Sequence, residues 1–220
     1  TTHISNASLT FALGTECNVP NSNAFAHFFL YGNSDLEIDG QPSPNQDAYD
    51  LDITRIAGRE YAFIVTHPSN STQRPEDFWI YDISDNSDPK LTAHVDVNII
   101  PNVGINVVTV AASGSNRYAY LANDDTANQL IIVNVTDPQN IPVATQVNIT
   151  GVGNNKINDI AFLNNRLYVA IGNDVRVYNV DNPAVPVFLQ SINAGGNGSG
   201  TVNKLAITSN YLYAATSANN

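Results

Sequence analysis

The chain has 220 residues, 20 acidic against 9 basic side chains and a formal net charge of −11. An acidic surface repels phosphate backbones, which excludes nucleic acid as an expected partner, and no apolar run reaches the roughly 18 residues that a membrane-spanning helix needs. A single cysteine, Cys17, excludes an internal disulfide and a cysteine-rich metal centre.

Residues 1–47 form a first region. Ser8–Leu13 and Ala26–Tyr31 read as strands, and Leu36–Gly40 alternates and ends on Asp39-Gly40, a hairpin signal. Asp35, Glu37 and Asp39 ahead of Gly40 match the opening of a calcium loop. Such a loop needs a bidentate Glu at its twelfth position, where this chain has Gln46, so a solvated hairpin face is expected instead. Gln41–Asp47, rich in Pro, Asn and Gln, reads as a linker. The order of strand, Cys17 loop, strand, Gly32-Asn33 turn and Leu36-x-Ile38-Asp39-Gly40 resembles the β-hairpin part of type IV pilin-like and pseudopilin subunits. That resemblance implies display on a filament. The other reading makes these strands a cap on the domain that follows.

A repeat fills residues 48–220, in units of about 48–102, 103–154, 155–200 and a partial 201–220. Its first marker is an aromatic strand: Tyr61-Ala62-Phe63-Ile64-Val65, Tyr118-Ala119-Tyr120-Leu121-Ala122, Arg166-Leu167-Tyr168-Val169-Ala170 and Tyr211-Leu212-Tyr213-Ala214-Ala215. Its second marker is Trp79-Ile80-Tyr81-Asp82-Ile83-Ser84, Ile131-Ile132-Val133-Asn134-Val135-Thr136 and Arg176-Val177-Tyr178-Asn179-Val180-Asp181, each followed by a Pro-containing turn. The third copy reads strand by strand: Ile157–Leu163, an Asn164-Asn165 hairpin turn, Arg166–Ile171, a Gly172-Asn173-Asp174 turn, Val175–Val180, a rigid Asp181–Pro186 loop, then Val187–Ile192. Four short antiparallel strands per repeat, rich in Val, Ile, Thr and Tyr and without helical periodicity, predict an all-β fold of β-propeller blades. Three full blades and the start of a fourth are expected. Since propellers close with about 4–8 blades, either the chain continues or it leaves an edge to be covered.

The aromatic strand, the Ile/Leu-Ile-Val/Tyr-Asp/Asn-Val/Ile-Ser/Thr strand and the Asp/Asn-Pro turn are together similar to the LVIVD repeat. The resemblance implies a β-propeller of a bacterial or archaeal surface protein, and it brings no catalytic residues. Asn134 and Asn179 depart from the family's preferred Asp, and the first copy carries an insertion, Pro68–Asp77.

Little points to catalysis. No G-x-S-x-G elbow occurs, Gly198-Ser199-Gly200 sits in a flexible Gly-rich loop, and His3, His27, His67 and His94 are scattered. No cofactor is called for; Asp124-Asp125, in the loop before Gln129, is a second place where calcium is considered. The stretch His67–Asp77 around this insertion carries His67, Arg74, Glu76 and Asp77, followed by Phe78 and Trp79, a polar and aromatic set suited to recognition. Sequons at Asn6, Asn70, Asn134, Asn148 and Asn197 become glycosylation sites if the protein is exported. The absence of Met implies a processed or incomplete chain, with any signal peptide or anchor upstream.

The function expected from this reading is that of an extracellular or cell-surface module and not an enzyme. It would bind protein or glycan, or self-associate into a filament as a pilus-like subunit. The alternative is a propeller enzyme acting on glycans or esters, its site assembled at the central channel from equivalent positions of successive blades.

Overall fold

The computed structural model describes residues 37–38, 41–42, 46–68, 77–85, 88–97, 103–142, 144–149, 151, 153–194 and 200–217. The chain divides into two units, Thr1–Ser43 and Pro44–Asn220. In the first unit β1 (Glu37–Ile38) pairs antiparallel with β2 (Gln41–Pro42), Ile38 lying opposite Gln41. This is the tight hairpin that Asp39-Gly40 predicts. The expected strands Ser8–Leu13 and Ala26–Tyr31, Cys17 and Asn6 lie outside the described residues. The expected linker is shorter than Gln41–Asp47, because Gln41–Pro42 forms β2 and Gln46–Asp47 already belongs to β3.

The second unit is all-β and built from blades. The first comprises β3 (Gln46–Ile56), β4 (Arg59–Pro68), β5 (Phe78–Asp82) and β6 (Lys90–Val95). The second comprises β7 (Ile105–Ser113), β8 (Asn116–Asn123), β9 (Leu130–Asn134) and β10 (Thr145–Val147). The third comprises β11 (Ile157–Leu163), β12 (Arg166–Ile171), β13 (Asp174–Asn179) and β14 (Val187–Asn193). β15 (Thr201–Ile207) and β16 (Leu212–Ser217) repeat the first two strands of a blade. Within each sheet, neighbours follow chain order and run antiparallel, as hairpins demand. β3, β7, β11 and β15 pack side by side as the innermost strands.

The inner strands of the middle blade serve two neighbours at once. In β8, Ala119 and Leu121 join a core with Phe63, Val65 and Ile80 of the first blade, while Tyr120 and Ala122 join a core with Ile160, Leu167 and Val169 of the third. Period-two geometry sends alternate side chains to opposite faces, so apolar residues fill both parities and the strand reads as a continuous hydrophobic run. Burying one large apolar side chain contributes roughly 1.5–3 kcal/mol, against about 1 kcal/mol net for a typical hydrogen bond. Packing between blades therefore holds the stack, and the turns set its register.

Those turns explain the second marker. The side chain closing each third strand accepts the amide two residues on: Ser84 N–H to Asp82 Oδ1 at 2.9 Å, Thr136 N–H to Asn134 Oδ1 at 3.0 Å and Asp181 N–H to Asn179 Oδ1 at 2.7 Å. Only the oxygen is needed, so Asn replaces Asp without loss. The hydroxyls of Ser84 and Thr136 then accept the amides of Glu60 and Arg117, at 3.0 and 2.9 Å, tying the turn to the start of the second strand. The Asn164-Asn165 hairpin takes φ of 50° and 56°, the left-handed pair that a type I′ turn requires and Asn tolerates.

Candidate functional site

All four innermost strands carry a β-bulge at the same level. The pairing skips one residue between Ala48 and Asp50, Ile105 and Val107, Ile157 and Asp159, and Val202 and Lys204. The skipped residues are Tyr49, Asn106, Asn158 and Asn203. A bulge bends its strand and re-aims a side chain, and here it does so in every repeat.

Around this level, side chains of three consecutive blades meet. Tyr49 is 56% exposed and lies tilted over His67, with ring centroids 5.3 Å apart. His67 and Asp124 are repeat equivalents, because each follows the residue that pairs with the start of the bulge, Thr66 opposite Ala48 and Asn123 opposite Ile105. His67 Nε2 stands 3.6 Å from Asp124 Oδ2, Lys156 Nζ stands 2.6 Å from Asp124 Oδ1, and Asn106 Nδ2 donates to that same oxygen at 3.1 Å. Gly104 makes the approach feasible. A Cβ there would sit 2.6 Å from the Cα of His67, closer than side-chain carbons come. The arrangement offers an exposed aromatic face flanked by an amide, a carboxylate and an ammonium, with Tyr49, His67 and Asn106 on strands and Asp124 and Lys156 just beyond strand ends.

Just past the bulge, a second set of carboxylates joins the blades. Asp50 Oδ2 accepts the Val108 amide at 3.0 Å and Asp52 Oδ2 accepts the Val110 amide at 2.6 Å. In the third blade Asp159, the equivalent of Asp50, accepts the Leu205 amide at 2.6 Å, and Lys204 Nζ lies 3.2 Å from its other oxygen. Thr109 instead donates its hydroxyl to the Ile160 carbonyl at 2.9 Å. These groups cover backbone of the next innermost strand that would otherwise be left unpaired at a sheet edge. Burial raises the pKa of Asp50, the Val108 and Leu51 amides and then Lys204 pull it down, and Asp159 raises it again. Asp50 and Asp159 thus occupy the equivalent positions that a channel site calls for, and both hold backbone of the neighbouring blade.

The residues singled out in the insertion separate. His67 belongs to the cluster above. Asp77 is buried; its Oδ1 accepts the Val97 amide at 2.8 Å and its carbonyl accepts the Thr66 amide at 3.0 Å. Trp79 is fully buried and stacks on His94 at 5.3 Å. Both hold the first blade together and neither faces a ligand, because Phe78 and Trp79 open strand β5. Arg74 and Glu76 lie outside the described residues, as do the sequon residues Asn70 and Asn197. Asn148 is exposed, whereas Asn134 is half-buried with its side-chain oxygen held in the turn. At the considered calcium loop, Asp124 is engaged by Lys156 and His67, and Asp125 accepts the Ala127 amide at 3.0 Å. Among the described residues no three His, Cys, Asp or Glu side chains are grouped to hold a metal.

Tyr49, Gly104, Asn106 and Lys156 escape the sequence reading. A signal for the bulge level exists: Ile105-Asn106, Ile157-Asn158 and Val202-Asn203 repeat an Asn after a branched residue at one point of three copies.

No family model matches the chain, and no curated protein matches it. A solved structure, a mutant of the GH43 protein BlXynB from Bacillus licheniformis, is similar over 76% of this chain and 36% of that chain, with 13% identity and a TM-score of 0.47. This chain therefore spans about a third of the length of that solved chain. The expectation that the chain is not an enzyme is withdrawn on this finding. At that identity the likeness bears on fold alone.

Proposed function

We propose that the chain is a ligand-binding propeller segment of an extracellular or cell-surface protein of the LVIVD-repeat kind, and that it takes a glycan or protein ligand on the bulge-level face. The observation that supports this most is the convergence of Tyr49, His67, Asn106, Asp124 and Lys156 from three successive blades. Recognition sites combine an apolar anchor with a few fixed polar groups. A sugar ring offers an apolar C–H face to Tyr49 and paired hydroxyls to the amide, carboxylate and ammonium. A peptide offers an aliphatic side chain and backbone amides to the same groups. Asp124 is already held by Asn106 and Lys156, and groups held before binding lose little freedom on it, which lowers the cost of association.

The test is a glycan array and a panel of cell-surface extracts probed with the full chain and with Tyr49→Ala and Lys156→Ala. Loss of the aromatic anchor should weaken binding about tenfold or more, the level of an interface hot spot, with the thermal midpoint unchanged. Ligands bound equally by the wild type and both variants would place recognition elsewhere. Release of sugar or acid in the same wells would assign turnover to the face in place of binding.

A further inference from the structure

We infer that the outer edge of β14 is an interface between two copies of the chain, which pair their β14 strands antiparallel about a two-fold axis. β14 closes a full four-stranded blade, in the place that β6 and β10 hold in theirs, and among the described residues it pairs with β13 alone. The other two outer strands carry devices by which natural edges refuse partners. β6 opens on Lys90 and contains His94, and β10 has three residues. β14 runs for seven residues, Val187–Asn193, without a charge or a proline, and each of them is exposed.

The backbone of this edge is oriented to pair. Ala194 N–H bonds the Asn173 carbonyl at 3.1 Å. Donors alternate in direction along an antiparallel strand, so the N–H groups of Asn193 and Ser191 face away from β13. An apolar shoulder adjoins them. Pairing with β13 skips Leu189, which is 46% exposed. Phe188 lies opposite Tyr178, a residue of the core shared with the second blade, and their rings meet edge-on with centroids 5.7 Å apart. Phe188 therefore sits on the face turned to the second blade. Val185 is 62% exposed, whereas Ile141, before the matching proline of the second blade, packs against the core between the first and second blades.

Charge selects the occupant. The chain carries a net charge of −11, so two copies repel over much of their surface. From Asn182 to Asn203 the sequence has no charged side chain, which makes this the stretch where copies approach at least cost. Two-fold pairing also sets each strand against itself, so any charge within it would meet its own duplicate. Like charges across a ladder destabilise the pair. β6 would bring its Lys90 and His94 to a second Lys90 and His94, whereas β14 brings only apolar and amide or hydroxyl side chains. Interfaces between identical subunits are likewise apolar and poor in charge at their centre. Backbone hydrogen bonds supply the affinity, as in strand addition generally.

The test is analytical ultracentrifugation of the full chain over a range of concentrations, with amide hydrogen exchange read residue by residue. The wild type should associate reversibly into a dimer, more tightly as salt screens the net charge, and Val187–Asn193 should gain protection as the dimer forms. Ser191→Pro removes an outward N–H and leaves the β13 ladder intact, a placement that edge strands tolerate. Its dimer dissociation constant should rise about tenfold or more, since the axis doubles the loss. Ser191→Ala, which removes only the hydroxyl bond to Asp174, should dimerise as the wild type does. Leu189→Lys changes an exposed residue outside the ladder, so folding is not at stake, and should weaken the dimer by bringing like charges to the axis. A wild type that stays monomeric throughout, with β14 exchange independent of concentration, would overturn the proposal and leave the edge to a different protein. So would a dimer unaffected by Ser191→Pro and Leu189→Lys, or one whose protection falls on β3 or β16 in place of β14.

Discussion

The first two strands of the middle blade, β7–β8, and the pair β15–β16 repeat one strand pattern in different surroundings. Tyr120 and Tyr213 sit at one register position, each with an alanine on one side and a leucine on the other, Ala119 and Leu121 against Ala214 and Leu212. Tyr120 stacks on Phe162 of the next blade with centroids 5.8 Å apart and is sealed off, whereas Tyr213 stays open. The pattern in the strand is set by pairing and turn chemistry. Whether its faces are covered is set by neighbours many tens of residues away. A blade's stability thus belongs to its interfaces.

The sharpest test exchanges that pair. Tyr120→Ala should cost about 3–5 kcal/mol of unfolding free energy, and Tyr213→Ala should stay within about 0.5 kcal/mol, both read from urea melts; equal costs would break the comparison. Next in size is Gly104→Ala. Its new methyl meets the backbone of His67, and overpacking of this kind costs about 1–3 kcal/mol, with the thermal midpoint as readout and the bulge-level face disturbed as well.

Asp159→Ala should cost about 1–3 kcal/mol, because the Leu205 amide loses its acceptor. Exchange protection should fall first at β15 and β16, leaving the middle blade protected. Tyr120→Phe should go the other way. Among the described residues the buried Tyr120 hydroxyl has no hydrogen-bond partner, and burial holds its proton on well above the usual phenol range. Removing an unsatisfied buried group should leave stability equal or raise it by up to about 1 kcal/mol.

The smallest effect concerns pH. The Ser84 amide, then its hydroxyl, lowers the pKa of Asp82, and the side-chain amides of Asn179 and Asn165 lower that of Asp181. A carboxyl held low in the fold adds stability above its ordinary range and loses it as pH falls through its folded value. Asp50, raised by burial, works the other way and loses stability as pH rises through its own window. Asp82→Asn imitates Asn134 of the middle blade. It should leave the urea midpoint at pH 7 nearly unchanged and reduce the drop between pH 7 and pH 3. An unaltered drop would show that the turn's carboxylate does not report on folding.

The strands themselves were legible. In the third copy Ile157–Leu163, Arg166–Ile171 and the start of Val187–Asn193 coincide with expectation, since hairpin asparagines and proline loops punctuate them. The third-strand consensus also carries its own explanation, because its acceptor and hydroxyl act within a few residues. What stayed hidden is non-local. Trp79 and Asp77 look like recognition residues beside a long insertion, yet Trp79 is fully buried and stacked on His94 of its own blade, and Asp77 is buried holding the Val97 amide. The meeting of His67, Asp124 and Lys156 spans three repeats, and no spacing rule links them. Gly104 reads as an ordinary loop glycine until His67 is seen beside it.

The shared bulge has a consequence for how such a molecule diversifies. One residue in each repeat stands outside the strand ladder, so its identity is released from the two-neighbour packing that constrains everything beneath. Tyr in one repeat and Asn in three others are tolerated on the same scaffold. New specificities can be written into that single layer by point substitution while the interior remains untouched.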